Sequence, residues 1–126
     1  MTIGEELAAF RNRFAGCSMV VFADLSTGMV LAADTAERTT QEKLDAMCSA
    51  ARFSLLGPSA QIAGKFLSSD MPDYALVPDL SELQLFIRAA HPAQEALCVV
   101  APIDVECDAV LAQARDLLSR VTAEVS

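Results

Sequence analysis

The stretch Phe14-Ala15-Gly16-Cys17-Ser18-Met19-Val20-Val21-Phe22-Ala23-Asp24-Leu25-Ser26-Thr27-Gly28-Met29-Val30-Leu31-Ala32-Ala33 decides the fold. Residues 17–24 carry β-formers at Val20, Val21 and Phe22 and are apolar on both faces, the pattern of a central strand covered on each side. Asp24-Leu25-Ser26-Thr27-Gly28 reads as a turn, because an Asp side chain caps nearby backbone N–H groups and Gly accepts positive φ. Met29 to Ala33 follow as a second strand, so residues 17–33 form a β-hairpin.

On the N-terminal side, Ile3, Leu7, Phe10 and Phe14 recur at helical spacing, with Glu5, Glu6, Arg11 and Arg13 on the other face. This predicts a helix over 3–14, stopped by Gly16. On the C-terminal side, Asp34 to Arg38 read as a polar loop, and Thr39 with Glu42 reads as a capping box. The helix that follows, over about 40–56, buries Leu44, Met47, Cys48, Ala51 and Leu55. Gly57-Pro58 ends or bends it, and 59–67 reads as a further helical stretch with Ile62 and Phe66 inward. Three strands come next: Tyr74 to Val77, Leu83 to Ala89 and Ala96 to Ala101. Pro72 and Pro78 bracket the first of them and place it at a sheet edge. In the second, Leu83, Leu85 and Ile87 face one way and Gln84, Phe86 and Arg88 the other. His91-Pro92 turns the chain into the third, and Asp104 caps a last helix with the stripe Val110, Ala114, Leu117, Leu118 and Val121.

The element order is therefore α-β-β-α-β-β-β-α. The fold class is α+β: a five-stranded, mostly antiparallel sheet with helices on both faces, as one domain over residues 1–126. A chain of 126 residues that is 53% hydrophobic can build a full core without disulfides or metals. It also has apolar surface to spare for a partner.

Composition excludes several functions. The net charge is −8 with a pI near 4.4, and no cluster of Lys or Arg supplies the footprint that nucleic acid needs. No apolar run is long enough to insert in a membrane, and the start of the chain does not read as a signal peptide, so a cytoplasmic protein is expected. Cys17, Cys48, Cys98 and Cys107 form no C-x-x-C pair and lie far from the single histidine, so they read as buried hydrophobes rather than metal ligands. No nucleophile elbow and no glycine-rich phosphate loop is present. His91 reads as a solvated turn residue. Asp24 and Asp34, which end the two hairpin strands, are explained by turn chemistry even if they approach each other. Asp104, Glu106 and Asp108 are explained by capping. The phenylalanines fall mostly on apolar faces and read as core. No catalytic residue, metal site or cofactor is expected.

The hairpin at 14–33, taken with the element order, resembles the opening of a roadblock / dynein light chain domain. That family has a helix, a short Gly loop, a strand ending in an acidic residue, a tight Gly turn and a second strand rich in small residues. The resemblance implies a non-enzymatic protein that forms homodimers, with third strands paired edge to edge and second helices side by side. It also implies that the paired-helix face contacts a small Ras-like GTPase. The matching edge strand is Tyr74, Ala75, Leu76 and Val77, and the exposed partner-facing residues of the second helix are Asp45, Ser49 and Arg52. The sequence departs from the family at Pro72 and Pro78, which shorten the pairing strand, and at the Gly-Pro-broken stretch 57–72. The alternative on the same sheet is a GAF- or PAS-like small-molecule sensory domain, which needs a ligand cavity.

Overall fold

In the computed structural model, which describes residues 2–56, 74–90 and 93–125, the hairpin of the opening stretch forms one side of a single sheet. Strand β1 (Met19–Asp24) pairs with β2 (Met29–Thr35) across the turn at Gly28, whose φ is 75°. Strands β3 (Tyr74–Asp79), β4 (Glu82–Arg88) and β5 (Glu95–Pro102) complete the order β2-β1-β5-β4-β3, with every neighbouring pair antiparallel. The described helices are α1 (Ile3–Arg13), α2 (Gln41–Leu56) and α3 (Cys107–Val125). The element order and the five-stranded sheet are those expected from the sequence.

Alternation along the strands divides the core in two. Val20, Phe22, Leu85, Ile87, Leu97 and Val99 point to one face, under α1 and α3. Val21, Ala23, Phe86, Ala96 and Cys98 point to the other, under Cys48, Ala51 and Leu55 of α2. Leu44 and Met47 pack against the rim of that second cluster, so the sheet-facing side of α2 is the one its periodicity predicts.

Several local expectations are corrected. Thr40, not Thr39, caps α2: the Lys43 N–H donates to the Thr40 hydroxyl at 3.2 Å. With the cap one residue later, the third helical position is Lys43, and no reciprocal box with Glu42 forms. The last helix begins at Cys107 rather than after Asp104, because the Val105 N–H closes a tight turn onto the Pro102 carbonyl at 3.0 Å. Asp108 alone of the three acids then lies in the first turn. Strand β2 runs on through Asp34 and Thr35, which the loop reading of 34–38 had excluded. Arg11 of α1 reaches across to Asp34 at 2.5 Å and anchors that end. Helix α1 ends at Phe14 in extended geometry, and Gly16 (φ 79°) sits in the turn beyond it. A Cβ on Gly16 would lie 2.6 Å from Cγ of Pro102.

The segments 57–73 and 91–92 lie outside the described residues. With them go the expected helical stretch at 59–67, Pro72 and the turn at His91-Pro92.

Candidate interaction surface

The third strand is the edge of the sheet, as its flanking prolines predict, but Pro78 does not end it. Strand β3 runs from Tyr74 to Asp79 and holds Pro78 opposite Leu83. The hydrogen-bonding parity explains why the proline is tolerated. Between β4 and β5, the Ile103 N–H donates to Ser81 O and the Ala89 N–H to Glu95 O, each at 2.9 Å. Backbone bonding alternates along an antiparallel pair, so the odd-numbered residues of β4 bond to β5 and the even-numbered ones turn to β3. Through the β3–β4 register, Ala75, Val77 and Asp79 are the β3 residues whose backbone groups face β4. Tyr74, Leu76 and Pro78 turn theirs outward, to the open edge. Pro78 therefore takes no donor from the ladder. It takes one from the edge, where it offers a carbonyl alone.

Side chains follow the same alternation. Ala75 and Val77 pack under α2, whereas Tyr74 and Leu76 stand on the opposite face, 43% and 41% exposed. The Arg115 guanidinium of α3 lies over the Tyr74 ring, 5.6 Å from its centre. The four-residue edge read from the sequence is thus divided: Tyr74 and Leu76 offer open backbone, and Ala75 and Val77 tie the strand to the core.

Helix α2 reaches β3 on its own face of the sheet and so lies beside this edge. Asp45, Ser49 and Arg52 are exposed on it. Asp45 accepts a hydrogen bond from the Gln41 amide at 3.0 Å, one turn earlier. Arg52 is folded toward the hairpin turn, where a Cβ on Gly28 would lie 3.1 Å from an Arg52 guanidinium nitrogen. The sequence reading missed Phe53, which was grouped with the core aromatics and is 69% exposed. Its signal was available: Phe53 stands two residues after Ala51 and two before Leu55, so both buried neighbours point elsewhere. With Ala46 and Ser49 it makes an outward stripe of small and apolar residues on a helix whose inner face is also apolar.

The other candidate groups are placed apart. Asp24 and Asp34 sit at opposite ends of the hairpin, since Asp24 pairs with Met29 and Asp34 with Val20. They do not approach each other. The Ser26 hydroxyl donates to Asp24 at 2.7 Å and holds its carboxyl below the usual range, with the Ser26 N–H adding a bond at 2.9 Å. Asp34 is spent on Arg11. Burial pushes the thiols of Cys17, Cys48 and Cys98 up, toward the inert protonated form. All four cysteines are free thiols, and Cys107 is half-buried. Among the described residues no group of three or more His, Cys, Asp or Glu is arranged to hold a metal ion. No described helix is long and apolar enough to cross a membrane. Two clefts formed by described residues, of about 200 and 220 Å³, lie on the side of the sheet away from α2. The first is bounded by the Arg120–Glu6 pair that joins α3 to α1 at 2.8 Å.

No family profile and no curated protein sequence matches the chain. Solved structures do. A Roadblock/LC7 domain from Streptomyces avermitilis matches with a TM-score of 0.80 at 18% identity, over 97% of this chain and 96% of that one. The gliding protein MglB of Thermus thermophilus matches at 0.74 and 16%, over 98% and 93% of the two chains. MglB of Myxococcus xanthus matches at 0.71 and 12%, over 97% and 95%. The fold is therefore roadblock-like.

Proposed function

We propose that this chain is a non-enzymatic homodimeric scaffold or regulator of a small Ras-like GTPase. The observation that carries the reading is the meeting, at one border of the sheet, of an open strand edge and an exposed helix face. Tyr74 and Leu76 turn their backbone groups outward from β3, where no strand among the described residues pairs with them. An open edge invites another strand, and a two-fold pair of identical edges closes on itself. Because α2 lies beside that edge, the same two-fold brings the α2 helices of two copies alongside each other, with the Ala46–Ser49–Phe53 stripe available to the contact. The flanking polar residues Asp45 and Arg52 then border a composite surface for a folded partner. The likeness to roadblock structures supports this arrangement through the fold, and one of the similar structures is described as MglB in a tetrameric arrangement.

The test has two parts. Sedimentation equilibrium at micromolar concentration should give a dimer. Interferometry against the small Ras-like GTPases of the source organism, each loaded with GDP or a non-hydrolysable GTP analogue, should give binding that Asp45→Arg with Arg52→Glu weakens about tenfold, the loss of one good charged contact. A monomeric wild type overturns the assembly. A dimer that binds no such GTPase in either nucleotide state overturns the regulatory role.

A further inference from the structure

The hairpin between β3 and β4 turns on two residues, Leu80 and Ser81, with Asp79 paired to Glu82 across it. Leu80 has a φ of 54°, the left-handed region in which a Cβ crowds its own backbone. Gly, Asn or Asp is the residue that such a turn favours. The leucine gains no packing inside the chain in exchange, because it is 97% exposed. A local rule broken without an internal gain marks a position held for something outside the fold. Leu80 has an apolar neighbour. The Ile103 N–H donates to the Ser81 carbonyl at 2.9 Å, which fixes the tip against the turn that leads into α3, and Ile103 is itself 46% exposed.

Acidic residues border this apolar pair on two sides. Asp79 and Glu82 flank the hairpin turn, and Asp104 and Glu106 follow Ile103, all four exposed. None of the ion pairs among the described residues involves them. The one described hydrogen bond to any of their side chains runs from the Ser18 hydroxyl to Glu82, at 3.4 Å. Carboxylates grouped without a cation repel one another, and the apolar centre between them stays in contact with water. One occupant relieves both costs: an apolar stripe between two cationic flanks, which is the surface of a basic amphipathic helix. A second copy of this tip would add four more carboxylates, and an anionic bilayer would repel the rim.

We infer that the β3–β4 tip is a docking point for a basic amphipathic helix of a partner protein. Leu80 and Ile103 meet the apolar stripe of that helix. Asp79 and Glu82 on one side, and Asp104 and Glu106 on the other, meet its lysines or arginines. The strained backbone at Leu80 holds the leucine outward as a preformed knob, so little ordering is left to be done on binding. The inference does not rest on the β3 pairing proposed above, and its surface is separate from the exposed face of α2.

The probe is a fluorescein-labelled designed helix of about 18 residues, with leucines on one face and lysines on both flanks, titrated by anisotropy against the full chain. A matched peptide with glutamate flanks is the control. The lysine peptide should bind saturably and the glutamate peptide at least tenfold more weakly. Leu80→Asn places in the turn a residue that accepts positive φ, so it should melt no lower than the wild type and yet bind the lysine peptide about tenfold more weakly, the worth of one buried leucine. Glu82→Lys with Asp104→Lys should weaken binding at least tenfold. Glu5→Lys with Glu37→Lys, an equal change of net charge away from the tip, should weaken it less than threefold. The inference is overturned if the wild type binds neither peptide or both alike, if Leu80→Asn binds as well as the wild type, or if the two lysine pairs act equally. It is overturned too if Leu80→Asn melts several degrees lower, which would make the leucine structural, or if that variant changes the sedimentation of the chain alone, which would make the tip a contact between copies.

Discussion

The parity of β3 makes two neighbouring proline substitutions behave differently. Leu76→Pro removes an N–H that points to the open edge, and the ladder to β4 loses nothing. Ala75→Pro removes an N–H that faces Phe86 of β4 and forces the ring into the sheet. In a two-fold pair each copy's Leu76 donates to its partner, so Leu76→Pro deletes two bonds per dimer. At about 1 kcal/mol net for each, the loss is about 2 kcal/mol, or about 30-fold in the dimer Kd. Ala75→Pro instead costs the fold a β3–β4 ladder bond and the fit of the ring beside Phe86, about 3 kcal/mol if it matches the cost of a proline inside a helix. The assay is sedimentation equilibrium for Kd, paired with thermal unfolding of each variant and with Leu76→Ala to isolate the side chain. Leu76→Pro should melt near the wild type after allowance for the lost dimer and should dissociate well beyond Leu76→Ala. If it dimerises as tightly as Leu76→Ala, the edge is not the interface. If Ala75→Pro is the milder of the two in unfolding, the parity is wrong.

Leu55 is fully buried under the sheet, so Leu55→Asp should destabilise by about 4 kcal/mol, read as a fall in the urea midpoint; an unchanged midpoint would mean that α2 presents another face. Gly16→Ala combines a positive φ with a Cβ 2.6 Å from Pro102 and should lower stability by about 1–3 kcal/mol, measured by calorimetry. The buried thiols set a pH dependence of known sign. Folding raises the pKa of Cys17, Cys48 and Cys98, so the folded chain holds more protons than the unfolded one once pH passes about 8.5. Their contribution is therefore flat below that pH and declines above it, by up to about 1.4 kcal/mol per pH unit for each thiol, and replacing Cys98 by Ala should flatten the alkaline limb of the unfolding curve. In native protein at pH 8, a thiol reagent should modify Cys107 first and the other three only on unfolding, which peptide mapping would check.

Most of the sheet was legible in the sequence because burial on two faces leaves short continuous runs of β-branched and aromatic residues bounded by turn residues. Val20, Val21 and Phe22 are apolar in succession because β1 has a helix on each side, and Leu85, Phe86 and Ile87 repeat the pattern in β4. What could not be read were features fixed by contacts remote in sequence. Asp34 looked like the first residue of a loop, since nothing near it announces Arg11 across the hairpin. Asp104 looked like a helix cap, but the Pro102 carbonyl claims the Val105 N–H and delays the helix. The candidate surface was legible only in outline. Its strand and helix were named, but whether Ala75 or Leu76 faces out depends on the register of β4 against β5, a pairing that follows from the whole sheet rather than from the strand itself. Phe53 was misplaced because its helix is apolar on both faces, which blurs the distinction that periodicity relies on.

The two edges of the sheet differ in a way that bears on assembly. A domain with two straight, open edges can add copies at both and grow without limit. At the β2 edge, pairing with β1 shifts between Phe22 and Ala23, which leaves Leu31 as an extra residue, and a bulge of this kind twists an edge away from partners. At the β3 edge, no strand among the described residues takes the outward groups of Tyr74 and Leu76, and Pro78 removes the next donor toward the hairpin tip. A partner strand centred on Ala75 or Leu76 meets all four outward N–H groups of the two copies, whereas one centred on Pro78 finds no donor at its middle. Pro78 therefore does not shorten β3, and in a two-fold pair of these edges it would act on the partner's register instead. In the dimer proposed above it would confine pairing to the Tyr74–Leu76 end of β3, beside which α2 lies, so that one two-fold would serve both the strands and the α2 pair.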